Sequence, residues 1–262
     1  MLLGLAFNAA IARWAYRKQK LTLSGTLAAF GLGVITIVWG HWTFFPLMLM
    51  FFLSSVLIRR VVSVWLKPQG IALKAHEART HVQVFSNGGV LALLSLLFAL
   101  QPHDAYIYAA GISMAAATAD TWASELGALS RVEPKSLWRK LPLAHGLSGG
   151  VTPLGLWASL AGSAFVSSFS IAFFALRDGL SAAGMVLSLL MIGMGFMGSI
   201  VDSLIGEFLQ AKYRNLRNEL LEVASSASDQ LVSGWRWMDN NIVNFVSNVI
   251  VVMVMLGLIL VI

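Results

Sequence analysis

The chain has 262 residues, of which 58% are hydrophobic and only 11% charged, and its mean hydropathy is +0.77. Soluble domains average about 45–50% apolar and about 25% charged residues, so this composition excludes a soluble globular protein and points to an integral membrane one. There is no Cys, which removes disulfides and thiolate metal sites, and the net charge of +6 is accounted for by basic loops without a nucleic-acid partner.

Taken in chain order, the apolar runs predict an all-α polytopic helix bundle with seven or eight spans, forming a single transmembrane domain over 1–262. The opening segment 2–16 is short and contains Asn8 and Arg13, so it is either a short first span or an interfacial helix. It lacks a basic start and runs directly into further membrane sequence, unlike a cleavable signal. Spans follow at 21–40, 41–58, 82–101, 105–128, 151–176, 181–206 and 241–262. The longest polar connection, 207–240, is too short to suggest a separate soluble domain.

All 18 Lys and Arg residues except Arg177 fall in the first connection or in 59–81, 129–150 and 207–240. Basic loops remain on the cytoplasmic side, which predicts a multi-pass cell-membrane protein with these four connections in the cytoplasm. With eight spans, both termini lie outside.

On that topology the unusual polar residues collect at one membrane face. Asp120 and Glu125 approach it in "AAATADTWASELGALS", and Asp202 and Glu207 in "GSIVDSLIGEFLQ". "VFSNGG", with Asn87, Gly88 and Gly89, opens the 82–101 span from that side. "GLSGGVTPLG" opens 151–176 and "MDNNIVNFVSN" opens 241–262. A carboxylate inside a span is costly and is read first as functional, with a partner in the bundle interior. The bland alternative is an interfacial acid beside a basic loop; it fits Glu207, near a helix end, better than Asp120, about ten residues inside its run.

"ADTWASEL" and "VDSLIGEF" share an Asp, a hydroxyl residue, a small residue and a Glu, with the same spacing of five between the acids. Both segments run in one direction across the membrane, so they read either as a parallel internal repeat or as chance over eight positions. A spacing of five puts two helical residues about 140° apart, so the acids of one segment need not share a face.

Two acidic helices supply oxygen ligands of the kind that hold Mg²⁺, which takes one or two carboxylates together with substrate phosphates and water. The Gly-rich turn before a helix N-terminus supplies unpaired N–H groups suited to phosphate, although it is not a Walker A loop. Its bland reading is a flexible turn. Lys135, Arg139, Lys140 and Arg79 are either phosphate clamps or ordinary loop anchors. Asn240, Asn241, Asn244 and Asn248 either ligate a metal, bond a nucleobase or join helices. The five His residues form no HxxxH or HExxH pattern, which leaves zinc poorly supported. Together these groups predict a cytoplasm-facing, Mg²⁺-dependent phosphate site with membrane walls, a setting that a lipid substrate requires and a soluble one does not.

"AAATADTWASELG", "GLSGGVTPLG", "GSIVDSLIGEFLQ", "NNIVNFVSN" and "QVFSNGG" resemble, in order, the motifs of an integral-membrane family catalogued as a domain of unknown function. That family contains transmembrane protein 19 and the plant phytyl-phosphate kinase, and the resemblance covers about residues 20–262. It is distantly similar to dolichol kinase and the CDP-lipid synthases. The resemblance implies a kinase that converts an isoprenyl monophosphate, such as phytyl or geranylgeranyl phosphate, to the diphosphate with CTP, or else ATP, as donor. It carries Asp120, Ser124 and Glu125, Asp202 and Ser203, Ser148, Gly149 and Gly150, Asn87 and Gly88, and Asn241 and Asn244 into the site. Where the family tends to carry Pro-Gly-Thr before the Gly pair, this chain has Ala144, His145, Gly146 and Leu147, so a hydroxyl that could touch phosphate is missing.

The expectation is therefore that Asp120, Glu125 and Asp202 hold Mg²⁺ and carry catalysis. Asn87, Gly88, Ser124, Lys140, Ser148, Gly149, Gly150, Asn241 and Asn244 bind nucleotide and phosphate. The partners expected are isoprenyl phosphate, nucleotide and membrane lipids, with no nucleic acid and with homo-oligomerisation left open. The alternatives are a CTP-dependent lipid-phosphate cytidylyltransferase and a cation or lipid transporter.

Overall fold

A computed structural model describes residues 1–66, 78–144, 146–179 and 181–261. Lys67, Lys74, His76 and His145 lie outside the described residues. Eight helices are present among them: α1 (Leu2–Arg17), α2 (Leu23–Val38), α3 (Phe44–Leu66), α4 (His81–Leu100), α5 (Asp104–Gly127), α6 (Pro153–Asp178), α7 (Ala182–Phe208) and α8 (Asn240–Val261). Their starts are set locally. Thr22, Thr152 and Ser181 each accept the backbone N–H three residues on at 3.0 Å, and Gln83 Oε1 accepts Thr80 N–H at 3.0 Å. Such caps satisfy donors that a helix N-terminus leaves unpaired.

Five helices are long and apolar enough to cross a membrane: α3, α4, α6, α7 and α8. α5 has 24 residues, about 36 Å of helix, yet is not among them. Its Ala, Gly, Ser and Thr content lowers its hydropathy, and its position explains why that is tolerated. Every residue from Ala109 to Ala119 is buried, with α3, α4, α6, α7 and α8 packed around it. A helix enclosed by protein needs no greasy surface. It needs small residues that let its neighbours approach.

α7 and α6 exploit that. A Cβ on Gly198 of α7 would come within 2.5 Å of Ala116 Cβ, and one on Gly162 of α6 within 3.0 Å of Thr118 O. Between α6 and α7, Ser159 and Ser199 hydroxyls bond at 2.6 Å, and Ser163 Oγ donates to Ile192 O at 2.7 Å.

α1 and α2 have 16 residues each, and α1 runs antiparallel along α2. Gly4 lies against Ile37, Asn8 packs at Gly33, and Asn8 Nδ2 donates to Phe30 O at 3.0 Å. The opening segment is thus a helix at the same depth as α2.

The polar connections are more ordered than an all-helical reading implies. β1 (Lys135–Ser136) pairs antiparallel with β2 (Gly150–Val151), Ser136 opposite Gly150. Within 207–240, β3 (Lys212–Arg214) is flanked by β4 (Leu220–Leu221) and β5 (Gln230–Ser233), both antiparallel to it. Helix content dominates the sequence signal, whereas strands of two to four residues are too short to leave a period. Their pairing satisfies backbone groups of the connections. The first sheet is fastened to the end of α7, where Ser136 of β1 donates to Glu207, and the second follows α7 in the chain.

The α5–α7 approach yields a test. Gly198→Leu should overpack it and lower stability by about 1–3 kcal/mol. Thermal unfolding in detergent reads this directly, and an unchanged melting temperature would contradict packing at this distance.

Candidate functional site

Asp120 on α5 and Asp202 on α7 face each other within hydrogen-bonding reach, although 82 positions separate them in sequence. The small-residue contact at Ala116 and Gly198 makes this possible, because each lies four residues, one helical turn, before its acid. Asp202 is 9% exposed. Ser247 Oγ on α8 donates to Asp202 Oδ2 at 3.0 Å, and Asn244, with its amide nitrogen turned inward, donates to the same oxygen at 3.0 Å.

A cavity of about 10 Å³, room for one water or one bare cation, lies among Asn87, Asp120, Asp202, Asn244, Ser247 and Asn248. α4 brings Asn87, whose amide N–H groups are spent on Gln83 O and Ser86 Oγ, so its carbonyl oxygen is what it can offer the cavity. α8 brings Asn248, 3% exposed, whose Nδ2 donates to Ser113 O at 3.2 Å while its Oδ1 has no partner among the described residues.

The donor set is therefore two carboxylates and amide oxygens. Among the described residues there is no group of three or more His, Cys, Asp or Glu suited to a metal. Hard oxygen donors with only two carboxylates fit Mg²⁺ better than a transition metal, and they leave coordination positions that the protein does not fill.

The Gly-rich turn sits one helical turn further along α7. A Cβ on Gly206 would touch Ser148 Cβ at 3.0 Å, and Gly206 lies four residues beyond Asp202. Gly149 adopts φ +88°, and a side chain there would meet Glu207 Cβ at 2.6 Å, so both backbone and space demand glycine. The backbone N–H of Ser148 donates to the carboxylate of Glu222. An anionic oxygen thus already occupies an N–H of this turn, as a phosphate oxygen would. Lys212 is buried alongside; burial pushes its pKa down, and Glu222 and Glu207 partly oppose this.

Other predicted residues stand apart from this cavity. Glu125 Oε1 accepts from Arg59 Nε at 2.6 Å, away from the Asp pair, because its five-residue offset turns it toward α3. Ser124 is exposed and donates to Thr121 O. Asn241 bonds Asp239 Oδ2 at the start of α8. Lys140 is exposed in the turn after β1, with φ +58°. Gly88 faces away from Asn87 and packs on Leu32. Gly150 is committed to β2. The structure thus gathers Asn87, Asp120, Asp202 and Asn244, and sets Ser148 and Gly149 just beyond them.

Glu207 is explained by its neighbours. Its Oε1 accepts Ser136 Oγ at 2.6 Å, its Oε2 accepts Trp138 N–H at 3.4 Å, and Arg139 Nε stands 3.7 Å away. It fastens the 128–152 connection to α7. Ser136 and Glu222 carry no sequence signal, since each is an ordinary polar residue of a connection, and Arg59, which hydropathy assigns to the 59–81 connection, lies instead within α3. Ser247 and Asn248 fall at helical spacing from Asn244 in "NNIVNFVSN".

The fold and this interior polar site define a polytopic helical membrane protein with a carboxylate pair at one membrane face. The family model described as "Integral membrane protein DUF92" matches residues 6–252, and the chain belongs to that family. It is 30% identical over 267 residues to Protein PGR of Arabidopsis thaliana, covering 94% of this chain and 92% of the relative. It is 27% identical over 199 residues to Uncharacterized membrane protein MJ0933 of Methanocaldococcus jannaschii, covering 75% and 77%. No solved structure matches.

Glu207→Ala should strand the Ser136 hydroxyl and release the connection, costing about 1–3 kcal/mol. Limited proteolysis should then cut within 128–152 faster than in the parent; equal rates would contradict the anchoring role.

Proposed function

We propose that this protein is a membrane phosphotransferase that passes the γ-phosphoryl group of a nucleoside triphosphate, CTP in the first instance, to an isoprenyl monophosphate. The observation that carries the reading is the Asp120–Asp202 pair, enclosed with three Asn side chains one helical turn below a Gly-rich turn. The basic connections around it favour a cytoplasmic orientation in the cell membrane, where nucleotide is available.

In this reading Asp120, Asp202 and the oxygens of Asn87 and Asn248 would hold Mg²⁺, which would supply charge neutralisation to the nucleotide phosphates. Asn244 and Ser247 fix the Asp202 carboxylate by donating to one of its oxygens, leaving the other for the cavity. The Ser148–Gly149 backbone takes phosphate oxygens once Glu222 gives up its bond there, and Lys212 and Arg139 stand near enough to add positive charge.

An oxygen of the lipid phosphate forms the bond to the γ-phosphorus as the bond to the β-phosphate oxygen breaks. The products are the lipid diphosphate and the nucleoside diphosphate. The attacking oxygen is already ionised, so the site needs no general base. Catalysis then consists of positioning and charge stabilisation, as is usual for phosphoryl transfer. Glu125 is assigned to holding Arg59 and not to the metal.

Full-length protein in detergent with Mg²⁺, isoprenyl monophosphates and γ-labelled CTP or ATP should give labelled isoprenyl diphosphate. Chelation should abolish it. Asp120→Asn and Asp202→Asn should each lower turnover by roughly 10²–10³-fold while eluting as folded protein. Undiminished turnover in Asp120→Asn would remove the metal role. Release of pyrophosphate with CMP joined to the lipid would identify a cytidylyltransferase, and absence of any product would favour ion or lipid transport.

A further inference from the structure

A second cavity, of about 60 Å³, lies on the other side of α4, enclosed by α1, α2, α3 and α4. That is several times the space one water needs. Its walls are almost wholly apolar, with Ile11, Ala12, Leu32, Met48 and Phe52 among them. It extends along α1 from Ala15 to Asn8 and along α4 from Gln83 to Gly88, about 10 Å of depth. α4 is its shared wall with the Asp120–Asp202 site: Asn87 lines one cavity and Gly88 the other.

At its basic end stands a guanidinium. Arg79 lines the cavity, half-buried, with Nη1 donating to Ser55 Oγ at 3.1 Å and its charge over the Phe51 ring at 5.6 Å. Among the described residues it has no carboxylate within salt-bridge distance, the nearby Glu125 being engaged by Arg59. Its backbone is pinned: Arg79 N–H donates to Lys20 O and Thr22 N–H to Arg79 O, each at 3.0 Å. The residue is therefore held in place with donors to spare. Burial and the charge of Arg59 push its pKa down to about 10, with Glu125 opposing, so it remains a cation at neutral pH.

An apolar slot with one fixed cation at its polar end is complementary to a single-chain amphiphile with an anionic head. A planar guanidinium matches the geometry of phosphate in particular. We infer that the cavity between α1, α2, α3 and α4 receives the phosphate-proximal isoprene units of an isoprenyl-type monophosphate whose phosphate is held by Arg79, the rest of the chain running on into the bilayer. The chemical class of the occupant rests on the phosphotransferase reading; the cavity and its cation do not. The acceptor would then enter from the α1–α3 side of α4 and the nucleotide from the α5–α7–α8 side, their phosphates meeting over the N-terminal turn of α4.

The test is photo-crosslinking of the full chain in lipid nanodiscs without nucleotide, using a diazirine-bearing C20 isoprenyl monophosphate and the corresponding neutral alcohol. Label from the phosphate probe should map by mass spectrometry to Ile11, Met48 and Phe52, and should be competed by unlabelled geranylgeranyl phosphate. Arg79→Gln should cut that labelling about tenfold, the loss expected for one charge-assisted bond, without affecting the alcohol probe. Arg79→Lys should retain part of it, and Ala12→Phe should displace label from the cavity. Label confined to the lipid-facing surface, or equal labelling by phosphate and alcohol in the parent protein, would overturn the assignment. The two readings fail separately. Cavity labelling without diphosphate formation removes the kinase activity alone, whereas turnover with label elsewhere removes only the cavity's role.

Discussion

The close approach of α5 and α7 is the constraint on which the rest depends. Ala116 and Gly198 bring the two backbones together, and one turn later Asp120 and Asp202 are forced to face each other inside the bundle. An unpaired carboxylate in such a place is expensive, and two side by side are more so. The surrounding structure answers that cost with donors on one side, Ser247 and Asn244 on a single Asp202 oxygen, while on the other Asn248 Oδ1 has no partner among the described residues. Between them lies the cavity of about 10 Å³.

That constraint orders the neighbouring parts. α5 is made of small residues because five helices converge on it, and it is the enclosed helix that can least depend on lipid. The 128–152 connection is tied by Glu207 to the end of α7, which sets the Gly-rich turn one turn from Asp202. α4 separates a polar cavity from an apolar one, so one helix presents Asn87 to the first and Gly88 to the second. A site divided in this way suits chemistry between a polar and an amphiphilic partner at a membrane surface.

The opposite membrane face is built differently. Arg177 there makes paired bonds to Asp104 at 3.0 and 2.7 Å and two more to Asp178, closing α6 onto the start of α5. Those charges neutralise each other at helix ends and line neither of the two cavities described.

Taken alone, the sequence was enough for the membrane class, the approximate helix positions and the face on which polar groups collect, because each follows from local composition, although α3 runs to Leu66, past the end at 58 that hydropathy suggests, and takes in Arg59 and Arg60. Apolar length, basic loops and the depth of an acid in its run need no tertiary contact to be read. It also sets apart Asp120, Asp202, Asn87 and Asn244 as candidates, since polar groups within apolar runs stand out against their neighbours, and the fold places these four around one cavity. What it did not determine was grouping. Glu125 and Glu207 occupy matching positions in two similar motifs, yet one binds Arg59 and the other Ser136 and Trp138, because partners come from α3 and from a loop 71 residues away. Glu222 at the Gly-rich turn, and the cavity that ends at Arg79, are likewise decided by which helices lie side by side. Helix neighbours in a bundle are chosen by small-residue contacts such as Ala116 with Gly198, and those are settled only when the whole chain has packed.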